Sequence, residues 1–381
     1  MEIIIAHPLD PSNLREGGAI RYAWEVINIL LKKNVKTTLL GVKLGKENFS
    51  HANFRFVPLV KGTDHWFFYH LALAIKLPFL RLPKNAIIHV MRPDFMFWFA
   101  LYKRRNPKIL TSDKPDEWMK QHHPIIYKLG GRIIRKFMEQ FVMSTIDYLI
   151  TDIRTVNYYI EKYPHLKSKS LFYKPFVNLE LFKPMDKEKC KEKFGFKELK
   201  KIALFVGRIA PVKNLELLIK SFSIVEGKIS DAWLVIVGRG EKSYESSLKS
   251  LAQRIGIKNI IFLGEINPLL IPEIINCADV LVLTSHIEGS PNVVRESIAC
   301  GVPVVATDVG DVKAVITSEK LGLVVKPDPN EIANSIIFYL DAPSDFKNII
   351  RNECMITANK WAETENEYLK LCYQLYSQRK I

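Results

Sequence analysis

The sequence predicts an α/β protein with two domains, each built around a mostly parallel sheet. Strand-like and helix-like segments alternate twice, first over residues 3–151 and again over residues 201–307, which is the pattern of parallel strands joined by crossover helices. The chain has 381 residues, which is enough for two domains of ordinary size. Because 48% of the residues are apolar and 25% are charged, the composition is that of a globular protein and not of a disordered one.

The first alternating series consists of short apolar runs, which are typical of buried strands, around one clear helical pattern. A helix is predicted over about Ala19–Lys33, because its apolar residues recur at helical spacing. Strands are predicted over Ile3–His7, Val35–Gly41, Ala86–Val90, Lys108–Thr111 and Tyr148–Thr151.

The second series predicts another parallel sheet, and the two domains meet near Leu181–Pro184. A final helix is predicted over Thr357–Arg379. Strands are predicted over Lys201–Gly207, Ala232–Gly238, Ile260–Gly264, Ala278–Thr284 and Val302–Thr307. Helices are predicted over Leu215–Val225, Tyr244–Ile255, Leu270–Cys277 and Pro291–Ala299.

Two glutamates on either side of a tight turn are the most informative local feature. Glu288 follows a predicted strand, Gly289 permits a sharp turn, and Ser290 and Pro291 are typical of a helix N-cap and first helical residue. Glu296 then falls in the second helical turn. Ligands bind at the carboxyl edge of parallel sheets, and free N–H groups at a helix start suit a phosphate. The segment can therefore hold a sugar by its hydroxyls and a phosphate by backbone amides; the alternative for each glutamate alone is a solvated charge.

Further glycine loops follow other predicted strands. Gly17-Gly18 could let a phosphate approach the backbone at a helix start, although a glycine pair alone is usually a turn. Arg208 and Lys213 stand five residues apart in the loop after Gly207, and two cations there suit a diphosphate. Their alternative is a solvated loop. Glycine turns at Gly238 and Gly264 are weak signals taken singly.

Positive charge is concentrated in the first half of the chain. Residues 1–185 hold 29 Lys and Arg against 15 Asp and Glu, a net +14, whereas residues 186–381 hold 26 against 25. This asymmetry indicates an anionic partner for one domain only, such as nucleic acid, an acidic membrane surface or an acidic glycan.

Three segments of the first half mix aromatic and basic residues, namely Trp66–Leu80, Phe95–Arg105 and Tyr127–Phe137. The first is strongly apolar but shorter than the ~20 residues of a bilayer span. An in-plane membrane contact is one interpretation. The alternative is a set of core helices with Lys and Arg at their edges.

The N-terminus and the cysteines bear on location. Met1–His7 begins with an acid and a short apolar run, so it predicts a first strand and not a signal peptide. The five cysteines show neither a CxxC pair nor metal-ligand spacing, which is typical of a reducing compartment. A cytoplasmic protein is expected, with peripheral attachment to the inner face of the membrane through the basic half.

Together these motifs resemble the retaining GT-B glycosyltransferases of glycosyltransferase family 4, the glycogen-synthase-like group. Glu288 and Glu296 match the family's two glutamates separated by seven residues, and Gly207-Arg208 with Lys213 matches its diphosphate-binding element. Gly17-Gly18 matches its N-terminal glycine loop. The resemblance covers almost the whole chain and is strongest over residues 202–325.

The resemblance implies a GT-B fold, with two Rossmann-like domains facing a cleft and a C-terminal helix that crosses back to the first domain. Residues 1–183 with 362–381 would form the N-terminal, acceptor-side domain. Residues 184–361 would form the C-terminal domain that binds a nucleotide sugar.

The resemblance also implies roles at the site. Arg208 and Lys213 would hold the diphosphate and stabilise the leaving group, Glu288 would contact the donor sugar near its anomeric carbon, and Glu296 would bind the ribose. The anomeric configuration would be retained. No metal and no cofactor are implied, since the sequence has no Asp-x-Asp element and the cations can neutralise the diphosphate. The donor-binding set is Gly17, Gly18, Gly207, Gly264, Glu265, Ile266, Gly289, Ser290, Pro291, Asn292, Val293 and Glu296.

The sequence departs from the family at one position. Many members have a histidine after a strand of the N-terminal domain, near the donor sugar, where this chain has Ser112 followed by Asp113. Asp113 is therefore included among the candidate catalytic residues. His122 and His123 lie nearby in sequence.

The function expected from the sequence is a retaining, hexosyltransferase-like glycosyltransferase. It would move a sugar from a nucleotide-diphosphate sugar to a glycan or lipid-linked acceptor, in envelope polysaccharide, lipopolysaccharide or glycolipid synthesis. One alternative is an NAD(P)-dependent Rossmann oxidoreductase, which the glycines near Gly17 fit poorly because they do not form G-x-G-x-x-G. A second is a basic nucleic-acid binder, which leaves the paired glutamates unexplained; no nucleic-acid partner is expected.

Overall fold

A computed structural model of the chain divides it into two compact units. The N-terminal unit comprises Met1–Phe176 with Glu363–Ile381, and the C-terminal unit comprises Val177–Ala362. The boundaries expected from the sequence were 183/184 and 361/362. The structure describes residues 1–12, 18–46, 49–112, 132–151, 153–172 and 177–378.

The N-terminal unit is built on a seven-stranded sheet in the order β3-β2-β1-β4-β5-β6-β7. Every pairing in it is parallel. Its strands are Glu2–Ala6 (β1), Lys36–Lys43 (β2), Phe54–Lys61 (β3), Ile87–Val90 (β4), Lys108–Thr111 (β5), Tyr148–Thr151 (β6) and Ser170–Phe172 (β7). Its helices are Gly18–Lys32 (α1), Trp66–Lys76 (α2), Pro93–Tyr102 (α3), Arg132–Thr145 (α4) and Ile153–Lys162 (α5), with 3₁₀ turns at Leu77–Phe79 and Pro164–Lys169.

This sheet is covered on both faces. Ile3 and Ile5 belong to one buried cluster, together with apolar residues of α1. Ile4 belongs to a second cluster, together with residues of α2 and α3. Successive side chains of a strand point to opposite faces, so the run of three isoleucines supplies both layers of the core at once.

The C-terminal unit is built on a six-stranded parallel sheet in the order β10-β9-β8-β11-β12-β13. Its strands are Lys201–Val206 (β8), Ala232–Val237 (β9), Ile260–Gly264 (β10), Val280–Leu283 (β11), Val304–Thr307 (β12) and Gly322–Val325 (β13). Its helices are Lys187–Lys193 (α6), Leu215–Lys228 (α7), Lys242–Arg254 (α8), Ile271–Asn276 (α9), Asn292–Ala299 (α10), Val312–Val315 (α11) and Pro329–Leu340 (α12), with 3₁₀ turns at Pro211–Lys213 and Pro268–Leu270.

The last helix, Ser344–Ser377 (α13), is 34 residues long and contributes to both units. Ile350, Cys354 and Ala358 belong to the core of the C-terminal unit, whereas Tyr368 and Leu375 belong to that of the N-terminal unit. The sequence prediction of Thr357–Arg379 placed its start 13 residues too late. The spacing of four residues between 350, 354 and 358 is helical, but Met355 and Ile356 between them are apolar and exposed, which obscures the helical period.

Three strands, β3, β7 and β13, were not predicted from the sequence, and all three are edge strands of their sheets. Edge strands are covered less than central ones and are marked less strongly by apolar residues. β3 also contains Pro58, which is tolerated at an edge because its missing N–H faces away from the ladder. Among the described residues, no helix is both long and apolar enough to cross a membrane.

Candidate functional site

The strand order of the C-terminal sheet reverses between β8 and β11. In an open parallel sheet, the loops that leave the carboxyl ends of two such strands diverge and leave a crevice for a ligand. The loop after β8 contains Gly207, Arg208 and Lys213, and the loop after β11 contains Glu288. The two strongest motifs of the sequence therefore emerge from the two strands that flank this crevice.

The loop after β8 lies directly against the loop after β9. The Ile209 N–H donates to the Arg239 carbonyl at 2.8 Å, and a Cβ added to Gly238 would overlap the Gly207 carbonyl. Gly238 also has φ +134°, a conformation that other residues rarely adopt. Glycine is thus required here for close backbone packing. Arg208 is exposed and makes no hydrogen bond or ion pair to any described residue.

Backbone and hydroxyl contacts join the loop after β8 to the loop after β11. The 3₁₀ turn Pro211–Lys213 ends at Asn214, which adopts the left-handed conformation with φ +51°. The Thr284 hydroxyl donates to the carbonyls of Lys213 and Asn214 at 3.1 and 3.0 Å. The His286 N–H donates to the Val212 carbonyl at 2.9 Å. These bonds fix Lys213 relative to the strand end that precedes Glu288.

Lys213 and Glu288 form the central ion pair of the site. Lys213 Nζ lies 2.5 Å from Glu288 Oε1, and the Ser285 hydroxyl donates to the same oxygen at 2.7 Å. The two side chains are 19% and 15% exposed, so the pair is accessible at the crevice. The second oxygen, Oε2, makes no hydrogen bond to any described residue.

The turn after Glu288 differs from the sequence prediction. Ser290 was expected to cap the helix and Pro291 to begin it, but Pro291 occupies the cap position, without a side-chain cap, and α10 begins at Asn292. The Ser290 hydroxyl is engaged elsewhere, because it donates to Asp311 Oδ2 at 2.8 Å and accepts from Arg295 at 3.0 Å.

A buried ion pair holds this turn in place. Arg295 and Asp311 are 3% and 4% exposed in their side chains and are in direct contact. Behind them, a Cβ added to Gly310 would overlap the Gly289 carbonyl, so the loop after β12 packs backbone to backbone on the turn. Sequence reasoning missed Arg295, Asp311 and Ser285. The only signal for Asp311 was its position beside a glycine after a predicted strand.

The other predicted donor-binding residues lie on the same edge. Glu296 is on α10 and is buried. Val293 and Asn292 are in the first turn of that helix, where N–H groups lack helical acceptors. Gly264 ends β10, its carbonyl accepts from the Gly238 N–H at 2.8 Å, and Glu265 forms an exposed pair with Arg239 at 3.1 Å. Ile266 follows and packs partly against the core.

In the N-terminal unit, α1 begins at Gly18, while Gly17, Asp113, His122 and His123 lie outside the described residues. Ser112, which stands where the family has histidine, is buried, and its hydroxyl lies 3.1 Å from the Tyr159 hydroxyl. The Ser112 hydroxyl is thus part of the core.

Two histidines are buried in the described part of the N-terminal unit. His7 follows β1, and burial, reinforced by the charge of Arg92, lowers its pKa to about 3. His89 lies on β4, and burial lowers its pKa to about 3. Its ring nitrogens lie 2.9 Å from the Tyr368 hydroxyl and 2.8 Å from the Thr111 hydroxyl. Both imidazoles are therefore neutral at physiological pH.

The described part of the chain contains no group of three or more His, Cys, Asp or Glu side chains arranged to hold a metal ion. Arg208 and Lys213 are the cations that the β8 loop supplies at the crevice. The arrangement can bind an anion through these cations and backbone amides, beside a carboxylate that accepts hydrogen bonds.

Residues 186–354 match the family described as glycosyl transferases group 1. The chain carries a glycosyl transferases group 1 domain. This domain includes both glutamates and the two cations of the crevice. The family match gives no support to an oxidoreductase or a nucleic-acid binder.

Among its relatives, a D-inositol 3-phosphate glycosyltransferase of Thermobispora bispora is 29% identical over 255 residues, covering 64% of this chain and 56% of the relative. The chain spans about half the length of the curated relatives that it matches.

Among solved structures, sucrose-phosphate synthase from Thermosynechococcus elongatus matches with a TM-score of 0.80 at 18% identity, covering 99% of each chain. HepE from Anabaena, in complex with UDP, matches with a TM-score of 0.74 at 15% identity, covering 98% of this chain and 99% of HepE. The GT-B fold class predicted from the sequence is confirmed.

Proposed function

We propose that the chain is a retaining glycosyltransferase that moves a sugar from a nucleotide-diphosphate sugar to a hydroxyl of a glycan or lipid-linked acceptor. The observation that carries the proposal is the contact between Lys213 and Glu288 at 2.5 Å, at the point where the strand order reverses. In a nucleotide-diphosphate sugar the anomeric carbon is bonded directly to a phosphate oxygen. A site for it must therefore place a cation and a hydrogen-bond acceptor side by side, as this pair does.

The cations at the crevice suit the diphosphate. Lys213 is held in place by the loop contacts of Thr284, while Arg208 is exposed and unpaired among the described residues. As the bond to the sugar breaks, negative charge grows on the terminal phosphate, and fixed cations stabilise that charge more than they stabilise the bound substrate. A divalent metal is then not required for neutralisation.

Glu288 is positioned to bind the sugar. Its Oε1 accepts from Lys213 and Ser285, which fixes the carboxylate, and its Oε2 remains to accept from a sugar hydroxyl. The acceptor hydroxyl attacks the anomeric carbon on the face that the phosphate leaves. The new C–O bond forms as the C–O bond to phosphate breaks, and the acceptor's proton passes to a phosphate oxygen. The configuration is retained without a covalent enzyme intermediate.

The rest of the donor extends along the same edge. Glu296 binds the ribose hydroxyls, the amides at the start of α10 bind sugar and phosphate, and Gly264–Ile266 lie near the base. The solved structure of HepE with UDP, which has the same fold, supports testing a uridine donor first.

The acceptor is assigned to the N-terminal unit, with a membrane nearby. The +14 net charge of residues 1–185 favours a lipid-linked or acidic glycan, in envelope polysaccharide, lipopolysaccharide or glycolipid synthesis. Each exposed Lys or Arg near an anionic bilayer contributes about 1 kcal/mol. A cytoplasmic enzyme attached peripherally to the inner face follows from this.

A panel of UDP-, GDP- and ADP-sugars tests the donor. We expect one nucleotide class to raise the Tm of the full chain and to be hydrolysed slowly without acceptor. Lys213→Ala should weaken both signals, while Lys220→Ala, which changes an exposed lysine on α7, should leave them intact. If no nucleotide sugar shifts the Tm or is hydrolysed, the proposal is wrong.

Product analysis tests retention. The anomeric configuration of the transferred sugar, measured by NMR once an acceptor is in hand, should equal that of the donor. Inversion would exclude attack on the leaving-group face.

A further inference from the structure

The outer side of α2 carries an uncovered apolar stripe. Phe67, Leu71 and Ile75 are 51%, 46% and 57% exposed, and Phe79 in the following 3₁₀ turn is 84% exposed. The opposite side of the helix is fully buried, as Tyr69 and Leu73 are at 0% exposure. Residues four apart lie on one side of a helix, so the first three form a row that Phe79 extends. We call Phe67, Leu71, Ile75 and Phe79 the α2 stripe.

The stripe stands out within the described part of the molecule. Five of its fifteen exposed large hydrophobic side chains fall between residues 67 and 79, Phe68 being the fifth. Beside the stripe, α2 and the edge strand β3 border a shallow groove of about 430 Å³, lined by Leu59, Phe68 and Leu71 among others. Contiguous exposed apolar surface of this kind marks an interaction site.

Cations lie beside the stripe, in the groove and in the chain that follows Phe79. Lys61 and Lys76 line the groove, and Lys76 Nζ donates to the Leu59 carbonyl at 2.6 Å. Arg81 and Lys84 follow Phe79 and are exposed. Lys61, Arg81 and Lys84 form no ion pair with any described residue. An apolar row bordered by unpaired positive charge is complementary to a surface that is apolar inside and negative outside.

We propose that α2 lies flat in the interface of an anionic lipid bilayer, with the α2 stripe among the acyl chains and Lys61, Arg81 and Lys84 at the lipid phosphates. An 11-residue helix is too short to span a bilayer, which needs ~20 residues, but it suits in-plane insertion to a depth of about 5–10 Å. A protein partner would leave Lys61, Arg81 and Lys84 unpaired unless it placed acidic side chains opposite them. This proposal names α2 as the part of the chain that makes the proposed membrane contact. It rests on the proposed function only for the class of acceptor.

Vesicle flotation of the full chain tests the docking surface. Vesicles of phosphatidylcholine with phosphatidylglycerol are compared with phosphatidylcholine alone, at low and high salt. We expect binding to the anionic vesicles that weakens with salt. The combined variant Phe67→Ser, Leu71→Ser, Ile75→Ser, Phe79→Ser should lower the partition constant at least about tenfold. Lys61→Gln, Arg81→Gln and Lys84→Gln should each lower it about fivefold.

A matched control changes exposed apolar residues of the other unit. Phe338, Ile349 and Ile356 are 41%, 47% and 51% exposed, and Phe338→Ser, Ile349→Ser, Ile356→Ser should leave flotation unchanged. Equal loss in both variants, or no loss in the stripe variant, would overturn the inference. So would binding that ignores lipid charge, or a stripe that instead holds two copies of the chain together in sedimentation.

A reporter substitution tests insertion directly and guards against misfolding of the serine variant. Ile75→Trp places an indole in the stripe, and brominated phosphatidylglycerol should quench its added fluorescence relative to the unsubstituted chain. No added quenching would contradict insertion. Tm shifts with nucleotide sugars, measured without vesicles, keep the two proposals separate. If the chain binds a nucleotide sugar but not anionic vesicles, only the docking surface is refuted. If it binds the vesicles but no nucleotide sugar, only the proposed transferase is refuted.

Discussion

The two sheets share one plan, but they differ in the polar side chains that lie on their strands and at their carboxyl edges. The C-terminal unit uses ionised groups in pairs, Lys213 with Glu288 and Arg295 with Asp311. The N-terminal unit, in its described part, instead places the neutral His89 of β4 between Tyr368 and Thr111, and its buried Glu139 pairs with Lys162 between two helices, away from the sheet. Paired charges suit the nucleotide-diphosphate sugar that we propose as the ligand. In the N-terminal unit, Lys61, Arg81 and Lys84 are exposed near α2, where we propose that they contact lipid phosphates and not a small ligand.

The largest effect should come from breaking the buried pair. Asp311→Ala leaves the Arg295 guanidinium buried without its carboxylate, so we expect the free energy of unfolding of the C-terminal unit to fall by about 3–5 kcal/mol. Denaturant unfolding of the full chain measures this. Asp308→Ala is the matched control, because it breaks the exposed pair with Lys313 and should cost about 0–1 kcal/mol. Similar losses in the two variants would mean that the buried pair stabilises the fold no more than the exposed pair does.

Removing either member of the accessible pair should affect turnover more than folding. Lys213→Ala and Glu288→Gln should each lower kcat for the active nucleotide sugar by about 10²–10³-fold, the usual effect of deleting one group that stabilises developing charge. Lys220→Ala should retain full turnover. Near-normal kcat in both variants, with unchanged Tm, would reject the assigned roles.

Glycine packing between the loops after β8 and β9 should give a smaller effect. Gly238→Ala forces a methyl group into the Gly207 carbonyl, whereas Gly256→Ala, at φ +82°, meets nothing within 4 Å. Both pay for a positive φ, but we expect Gly238→Ala to destabilise the fold by about 1–3 kcal/mol more. Chemical denaturation of the two variants compares them, and equal midpoints would show that the loops can separate.

Acid should destabilise the N-terminal unit before the C-terminal unit. His7 and His89 have folded pKa values of about 3 against 6.5 when unfolded, so the unfolded N-terminal unit binds more protons. The stabilising contribution of these histidines is fully present above pH 6.5 and falls by about 1.4 kcal/mol per histidine for each pH unit between 6.5 and 3. In the C-terminal unit, Lys187 and Lys347 help to lower the pKa of Asp279 below its ordinary 3.8 despite the opposing effect of burial, so that contribution persists at pH 5.

Hydrogen exchange at pH 7 and pH 5 measures this difference. Peptides of residues 1–112 should lose protection at pH 5 before those of residues 177–362. His89→Gln should flatten the pH dependence of the first group. Simultaneous loss in both units would contradict the separate responses.

The sequence predicted the central framework because its signal is local. β5, β6 and β10 match their predicted bounds residue for residue, since each is a compact apolar run. The edge strands β3, β7 and β13 escaped detection because packing and pairing, not composition, define them, and β3 even contains a proline. The fourth edge strand, β10, was detected because it is a compact apolar run. The early start of α13 was missed because exposed apolar residues, Ile349, Met355 and Ile356, lie outside its buried stripe and obscure the helical period.

The candidate site could likewise be predicted only in part. Glycines and charged residues after predicted strands pointed to Glu288 and Lys213, but their mutual contact joins positions 75 residues apart. The role of Ser290 depends on Asp311, 21 residues away, which is why the local capping rule failed there. Local chemistry indicated which loops matter, and only the folded chain shows which atoms meet.

The passage of α13 from one unit to the other has a consequence for synthesis. The C-terminal unit is a continuous stretch, Val177–Ala362, whereas the N-terminal unit needs Glu363–Ile381 as well. During translation His89 therefore lacks its Tyr368 partner until residue 368 has left the ribosome, after the whole of the C-terminal unit. A chain released before that point would present an unfinished N-terminal core to the cell's proteases.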